Sequence, residues 1–220
     1  MKQALILGLG QFGSALARAL TERGVEVLAV DRDERLVQQA SSYTSFAAAF
    51  DANDEAALSS IEPQKRDFSV VAIGHNARDS SIICTSLLRQ LGAPRVIARY
   101  IDDLHGRILK LVGAHEIVNP ELEFGERLAT RISFGVLEQV PLGGDLFISE
   151  LRVPAKLVGR TLLDTDLPRK YGVTVVAIRT EELGRARVML PNPNVALKEQ
   201  DILVIAASSG GLRKLIEQFQ

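Results

Sequence analysis

The sequence predicts an α/β fold, a doubly wound parallel sheet followed by a second, smaller α+β domain. Three observations carry that expectation. Residues 4 to 120 alternate short β-branched runs with amphipathic stretches, the pattern of parallel strands joined by crossover helices. Three glycines, Gly8, Gly10 and Gly13, stand where the first run ends and the first amphipathic stretch begins. Beyond about residue 133 the rhythm becomes richer in strand than in helix.

Along the chain, strands are expected at Ala4 to Leu7, Val25 to Val30, Ser45 to Phe50, Val70 to Ile73, Val96 to Arg99 and Glu116 to Val118. Helices are expected between them, at Phe12 to Arg23, Glu34 to Ser41, Glu55 to Ser60, Ala77 to Leu91 and Asp103 to Val112. The first helix puts Phe12, Leu16, Ala19 and Leu20 on one apolar stripe, and Gly24 suits the left-handed position that ends it. Six strands with five crossovers make one doubly wound domain. A further helix follows from Pro120 to Ile132, with proline at its first position. Ser133-Phe-Gly135 and Pro141-Leu-Gly-Gly144 then break the pattern, so 133–144 reads as a linker between a domain of residues 1–132 and one of 145–220. In the latter, strands are expected at Asp145 to Val153, Val173 to Arg179, Arg187 to Leu190 and Asp201 to Ala206. Leu212, Leu215, Ile216 and Phe219 mark a closing helix. So small a domain is expected to be completed by a partner copy.

The 220 residues hold 26 Lys plus Arg against 27 Asp plus Glu, a formal charge of −1, so no overall field draws the molecule to nucleic acid. One cysteine, Cys84, excludes an internal disulfide and a multi-cysteine zinc site; its apolar helical setting reads as core. The first apolar run is too short for a signal peptide, and none approaches the ~20 residues that cross a bilayer. A soluble, cytoplasmic protein is expected, with contact to a membrane protein left open.

The chemical signal is Gly8-Leu9-Gly10-Gln11-Phe12-Gly13 between strand and helix. Gly8 suits the tight turn, Gly10 the approach of a diphosphate and Gly13 close helix–strand packing, while the helix N-terminus favours an anion. Asp31 closes the second strand, where a carboxylate accepts from ribose hydroxyls; its alternative is a strand-end residue capping the next helix. Arg32 could meet a 2′-phosphate, but Asp31 favours the plain ribose of NAD, ADP or ATP. Later strand ends add Asp51 and Ala52, then Ile73, Gly74, His75 and Asn76, then Arg99. His75 reads as an adenine or phosphate contact ahead of a proton donor, and His105 and His115 as surface residues. No Walker loop, His-Glu-x-x-His, Gly-x-Ser-x-Gly or Tyr-x-x-x-Lys motif is present.

These motifs resemble the RCK (regulator of K+ conductance) family, in particular the KtrA- and TrkA-like subunits of Trk/Ktr potassium-uptake systems. The resemblance covers both parts of the chain. It rests on Ile6 to Gly13, Val27 to Asp31, Val70 to Gly74 and Gly113 to Glu121, then on Val158 to Leu162, Lys170 to Arg179 and Gln200 to Ile205. It implies a regulator without catalysis: homodimers assembled into a ring, commonly an octamer, on the inner face of the membrane beneath a TrkH/KtrB-like potassium channel. Adenine nucleotide, ATP/ADP or NAD(H), would bias the ring between shapes. Gly8, Gly10 and Gly13 would surround the phosphates, Asp31 the ribose, and Asp51, Gly74 and Asn76 the nucleoside, with Arg99 near the phosphates. Glu121 would help hold a divalent or sodium ion there, or simply favour its helix start. Gln11 replaces the family's usual arginine and cannot form its bidentate fork, which puts a strong preference for ATP in question. The resemblance also implies cyclic di-AMP in the C-terminal lobe, near Val175, Ile178, Leu190 and Pro191, although Pro168-Arg169 departs from the family order. Two other classes compete: a small NAD-dependent oxidoreductase, and a calcium-sensing module using Asp102, Asp103, Glu121 and Glu123.

Overall fold

A computed structural model describes residues 1–74, 77–182 and 185–219. They form two compact units, one of Met1–Glu121 and one from Leu122 onward. The first holds β1 (Gln3–Leu7), α1 (Gln11–Glu22), β2 (Glu26–Asp31), α2 (Glu34–Ala40), β3 (Phe46–Ala49), α3 (Glu55–Ser60), β4 (Phe68–Val71), α4 (Arg78–Gln90), β5 (Val96–Arg99), α5 (Asp103–Leu111) and β6 (Glu116–Val118). All six strands run parallel in the order β3-β2-β1-β4-β5-β6, so the order reverses between β1 and β4. Open sheets of this kind bind ligands at that reversal, outside the carboxyl ends of the strands.

Strand alternation builds a core on each face. Leu5 and Leu7 pack with Val30, Val71, Leu88 and Leu109, whereas Ala4 and Ile6 pack with Val27, Ala29, Val70 and Ala17. On α1 the fully buried positions are Gly13 and Ala17, flanked by half-buried Phe12, Leu16 and Leu20. The expected stripe is thus turned toward two small residues, because the helix lies too close to the sheet for larger ones. Gly24 ends the turn at φ 77°, and its N–H donates to the Thr21 carbonyl at 2.9 Å. Asp33, Asp54 and Asp102 cap α2, α3 and α5 through their side chains.

Helix α6 (Pro120–Phe134) starts at the proline, and the division between units falls within its first turn. The second unit continues with β7 (Val136–Gly143), β8 (Leu146–Arg152), α7 (Leu162–Thr165), α8 (Leu167–Tyr171), β9 (Thr174–Glu182), β10 (Arg185–Met189), β11 (Ile202–Ser208) and α9 (Ser209–Phe219). Its sheet is antiparallel in the order β10-β9-β11-β8-β7. Leu203, Ile205 and Ala207 alternate inward onto Leu212, Leu215, Ile216 and Phe219 of α9, and Phe219 meets Tyr171 edge-on at 5.5 Å.

Strand β7 occupies the stretch expected as a linker. Pro141 sits on this edge strand, where no partner needs its missing N–H, and the register shifts between Val136 and Glu138 and again between Pro141 and Gly143. These irregularities erase the alternation that marks a strand in sequence.

Candidate functional site

A crevice of about 440 Å³ opens at the carboxyl ends of the first sheet. Gly8, Gly10, Asp31, Arg32, Asp51, Ala52, Ile73, Gly74 and Arg99 line it, so nine of the residues read from the sequence converge there. Leu9, Phe12 and Gly13 do not. Leu9 and Phe12 turn into the core, Gly13 is buried against the sheet, and Gln11 is exposed at the start of α1. His75 and Asn76 lie outside the described residues.

The three glycines have different surroundings. Gly8 is at φ 96°, its N–H donates to the Val30 carbonyl at 2.8 Å, and a Cβ there would come 3.2 Å from the Ala72 and Ile73 backbone. At Gly13 a Cβ would lie 1.9 Å from the Gly8 carbonyl oxygen. At Gly10 it would meet nothing within 4 Å. Gly8 and Gly13 are therefore demanded by the protein itself, whereas the open space before Gly10 is left for something else. Gly10 is also the N-cap of α1, and no side chain caps that end. The first-turn N–H groups of such a helix lack intrahelical partners and favour an anion.

Asp31 ends β2 and is committed on both carboxylate oxygens. Its Oδ2 accepts from the Leu9 N–H at 2.6 Å and its Oδ1 from the Asp33 N–H at 2.9 Å. This carboxylate ties the glycine loop to β2 while each oxygen keeps acceptor capacity for a hydroxyl. The capping role considered for Asp31 from the sequence falls to its neighbour: the cap of α2 is Asp33, whose N–H is held by Asp31. Hydrogen bonding from Arg35 holds the Asp33 carboxyl below its usual range.

The opposite wall was missed in the sequence. Ala77, Ser80 and Cys84 line the crevice from α4 and its start, and their spacing of three and four along one helix face was the available signal. Asn53 Nδ2 donates to Ser80 Oγ at 3.0 Å, and Cys84 Sγ donates to Asn53 Oδ1 at 3.6 Å. Burial, helped by the charge of Asp51, pushes the Cys84 thiol up to about 12, so it is a neutral wall and no nucleophile.

Arg99, at the end of β5, lies under Gly74, where a Cβ would come 3.4 Å from its Nη1. Its side chain is 11% exposed and is paired with Glu121 of α6. Arg78, at the start of α4, pairs with Asp102. His105 corrects the sequence reading: it is 1% exposed, because it shares with Leu109 the inward face of α5. Burial, and then the charge of Arg78, lower its pKa. His115 is exposed as expected, its Nδ1 accepting from the Val96 N–H at 2.9 Å.

Two of the four carboxylates offered for calcium are otherwise engaged, Asp102 by Arg78 and the His105 N–H, Glu121 by Arg99. In the second unit, Val175 and Pro191 line an apolar groove of about 400 Å³ with Leu162, Leu163, Pro168 and Pro193. Ile178 packs on the core instead, and Leu190 is 84% exposed.

Residues 4–120 match the family model of the TrkA-N domain and residues 147–220 that of the TrkA-C domain. The chain belongs to the TrkA-N/TrkA-C family. Two relatives come from Bacillus subtilis (strain 168). Ktr system potassium uptake protein C is 35% identical over 208 residues, covering 94% of this chain and 92% of the relative. Ktr system potassium uptake protein A is 33% identical over 220 residues, covering 100% and 96%. Among solved structures, the GsuK channel bound to NAD superposes with a TM-score of 0.61 at 19% identity, covering 96% of this chain and 38% of that one. The chain thus spans well under half of that channel chain, and the likeness shows the shared RCK fold. Both of these relatives are named for potassium uptake, and neither is named as an oxidoreductase. No helix among the described residues is long and apolar enough to cross a membrane.

Proposed function

We propose that the chain is a cytoplasmic regulatory subunit that senses adenine nucleotide and gates a potassium channel of the TrkH/KtrB type from the inner face of the membrane. The observation that carries the reading is the space before Gly10, at an uncapped helix N-terminus, between the Asp31 carboxylate and the buried Arg99 cation. Phosphates fit the helix end and the arginine, and a ribose fits the carboxylate. The crevice suits ATP, ADP or NAD(H) alike; NAD is the ligand of the GsuK channel structure compared above.

Gating requires only that the nucleotide bind one arrangement of copies better than another. Leu104 and Leu111 on α5 are 54% and 86% exposed, and Leu122, Phe124 and Ile132 on α6 are half exposed or more. Apolar area on this scale supports assembly with further copies, as the homodimers in a ring, commonly an octamer, that the family resemblance implies. The groove with Val175 and Pro191 supports a second ligand, cyclic di-AMP; calorimetry on the full chain showing no heat with it would remove that part.

The deciding experiment is mass-spectrometric identification of the ligand that co-purifies, followed by a turnover assay. Adenine nucleotide with no turnover is the expected result. A reduced dinucleotide consumed with a carbonyl substrate would sink the sensor.

A further inference from the structure

Arg99 is a cation confined to the crevice. Its side chain is 11% exposed, its Nε is buried with no hydrogen-bond partner, and its guanidinium rests on the carboxylate of Glu121, whose own side chain is 57% exposed. The two ends of this pair are unequal. A buried guanidinium requires an anion, because an unpaired charge out of water is costly. An exposed carboxylate is readily taken back by water, so the pair is held from one side only. A phosphate offers the same fork of acceptor oxygens with more charge, and arginine accepts either.

A cation site at Glu121, which the family resemblance implies, does not fit these residues. The carboxylate is already engaged by a cation, and no group of three or more His, Cys, Asp or Glu side chains that could hold a metal occurs among the described residues. A metal beside Arg99 would add positive charge where one is already confined.

We propose that Glu121 is the resident counter-anion of Arg99, and that the phosphates of a nucleotide enter the crevice by displacing it, the nucleotide binding as a metal-free polyanion. This inference rests on the nucleotide reading above and deepens it. Glu121 occupies the first turn of α6, so the exchange takes place where that helix begins.

Calorimetric titration of the full chain with ADP, in buffer containing EDTA, tests it. Glu121→Gln removes the competing charge from an exposed position, and ADP binds about two- to fivefold more tightly, the range of a partly exposed ion pair. Arg99→Gln weakens binding, and the double variant shows no gain. Equal or weaker ADP binding by Glu121→Gln in EDTA overturns the exchange while leaving the nucleotide site intact. Magnesium that tightens binding to the native chain but not to Glu121→Gln overturns it as well. Failure of the native chain to bind ADP, ATP or NADH overturns the nucleotide reading itself. Should Arg99→Gln not fold, the Glu121→Gln arm decides alone.

Discussion

Replacing Gly13 and Gly10 by alanine in separate chains should give opposite results, although the two lie three residues apart. At Gly13 the new Cβ would stand 1.9 Å from the Gly8 carbonyl oxygen, more than 1 Å inside the 3.0 Å that real Cβ contacts respect. Relief requires moving main chain, because the clash is with a carbonyl. Gly8 cannot move freely: its N–H is bonded to the Val30 carbonyl, and the space beside its Cα is closed by Ala72 and Ile73, which a Cβ there would meet at 3.2 Å. Overpacking of this kind costs about 3 kcal/mol, and the better helix propensity of alanine returns about 1 kcal/mol. The net loss of about 2 kcal/mol lowers the melting temperature of the first unit by roughly 8 °C. At Gly10 the added methyl meets no atom, and the residue sits at φ −62°, so the cost is the small loss of a glycine N-cap, under about 1 kcal/mol. Its methyl fills the space reserved for phosphate, and nucleotide affinity should fall tenfold or more, about 1.4 kcal/mol. Thermal melts and ADP calorimetry on the same preparations read both. Gly13→Ala melting with the native chain would refute the packing argument; Gly10→Ala binding ADP like the native chain would refute the assignment of that space.

Other outcomes follow from burial. Because burial, and then the charge of Arg78, lower the pKa of His105 in the folded protein, its contribution to stability is complete above the ordinary histidine pKa of 6.5 and declines as pH falls below it. His105→Leu should therefore lose less of its urea midpoint than the native chain between pH 7.5 and pH 5, and an equal loss would exclude this histidine. The Cys84 thiol runs the other way: folded near 12 against 9.0 unfolded, it withdraws stability as pH rises above about 9. A disulfide reagent at pH 8 should label it only as fast as the protein opens, with denaturant restoring full reactivity. Arg179 and Glu150 pair across β11 with side chains 33% and 22% exposed, so Arg179→Met should cost no more than about 1 kcal/mol in a urea melt.

The first sheet was legible because its central strands β1, β2 and β4 are buried at successive positions, on both faces, and read as short apolar runs bounded by helical periodicity. Its reversal point followed from the glycine loop, which can only follow β1. The second unit was harder. Helices α7 and α8 are four and five residues long, too short for any period, and β7 hides behind Pro141 and its register shifts. At the crevice, the residues at strand ends could be named in advance because topology alone brings them together. The α4 wall left only the spacing of Ala77, Ser80 and Cys84 as a signal, and that was masked because Cys84 is at once a core residue and a lining one. The pairing of Arg99 with Glu121 joins positions 22 apart and had no sequence signature.

Asp31 also limits how this crevice can be redesigned. A change of ligand specificity at the ribose, for instance toward one carrying a 2′-phosphate, would ordinarily begin by removing this acidic group. Here that substitution would leave the Leu9 N–H, which the carboxylate accepts at 2.6 Å, without its acceptor and would free the end of β2. Retargeting therefore needs two coordinated changes, one for the new ligand and one supplying a replacement acceptor to the glycine loop, so single-step drift in ligand preference is blocked at this position.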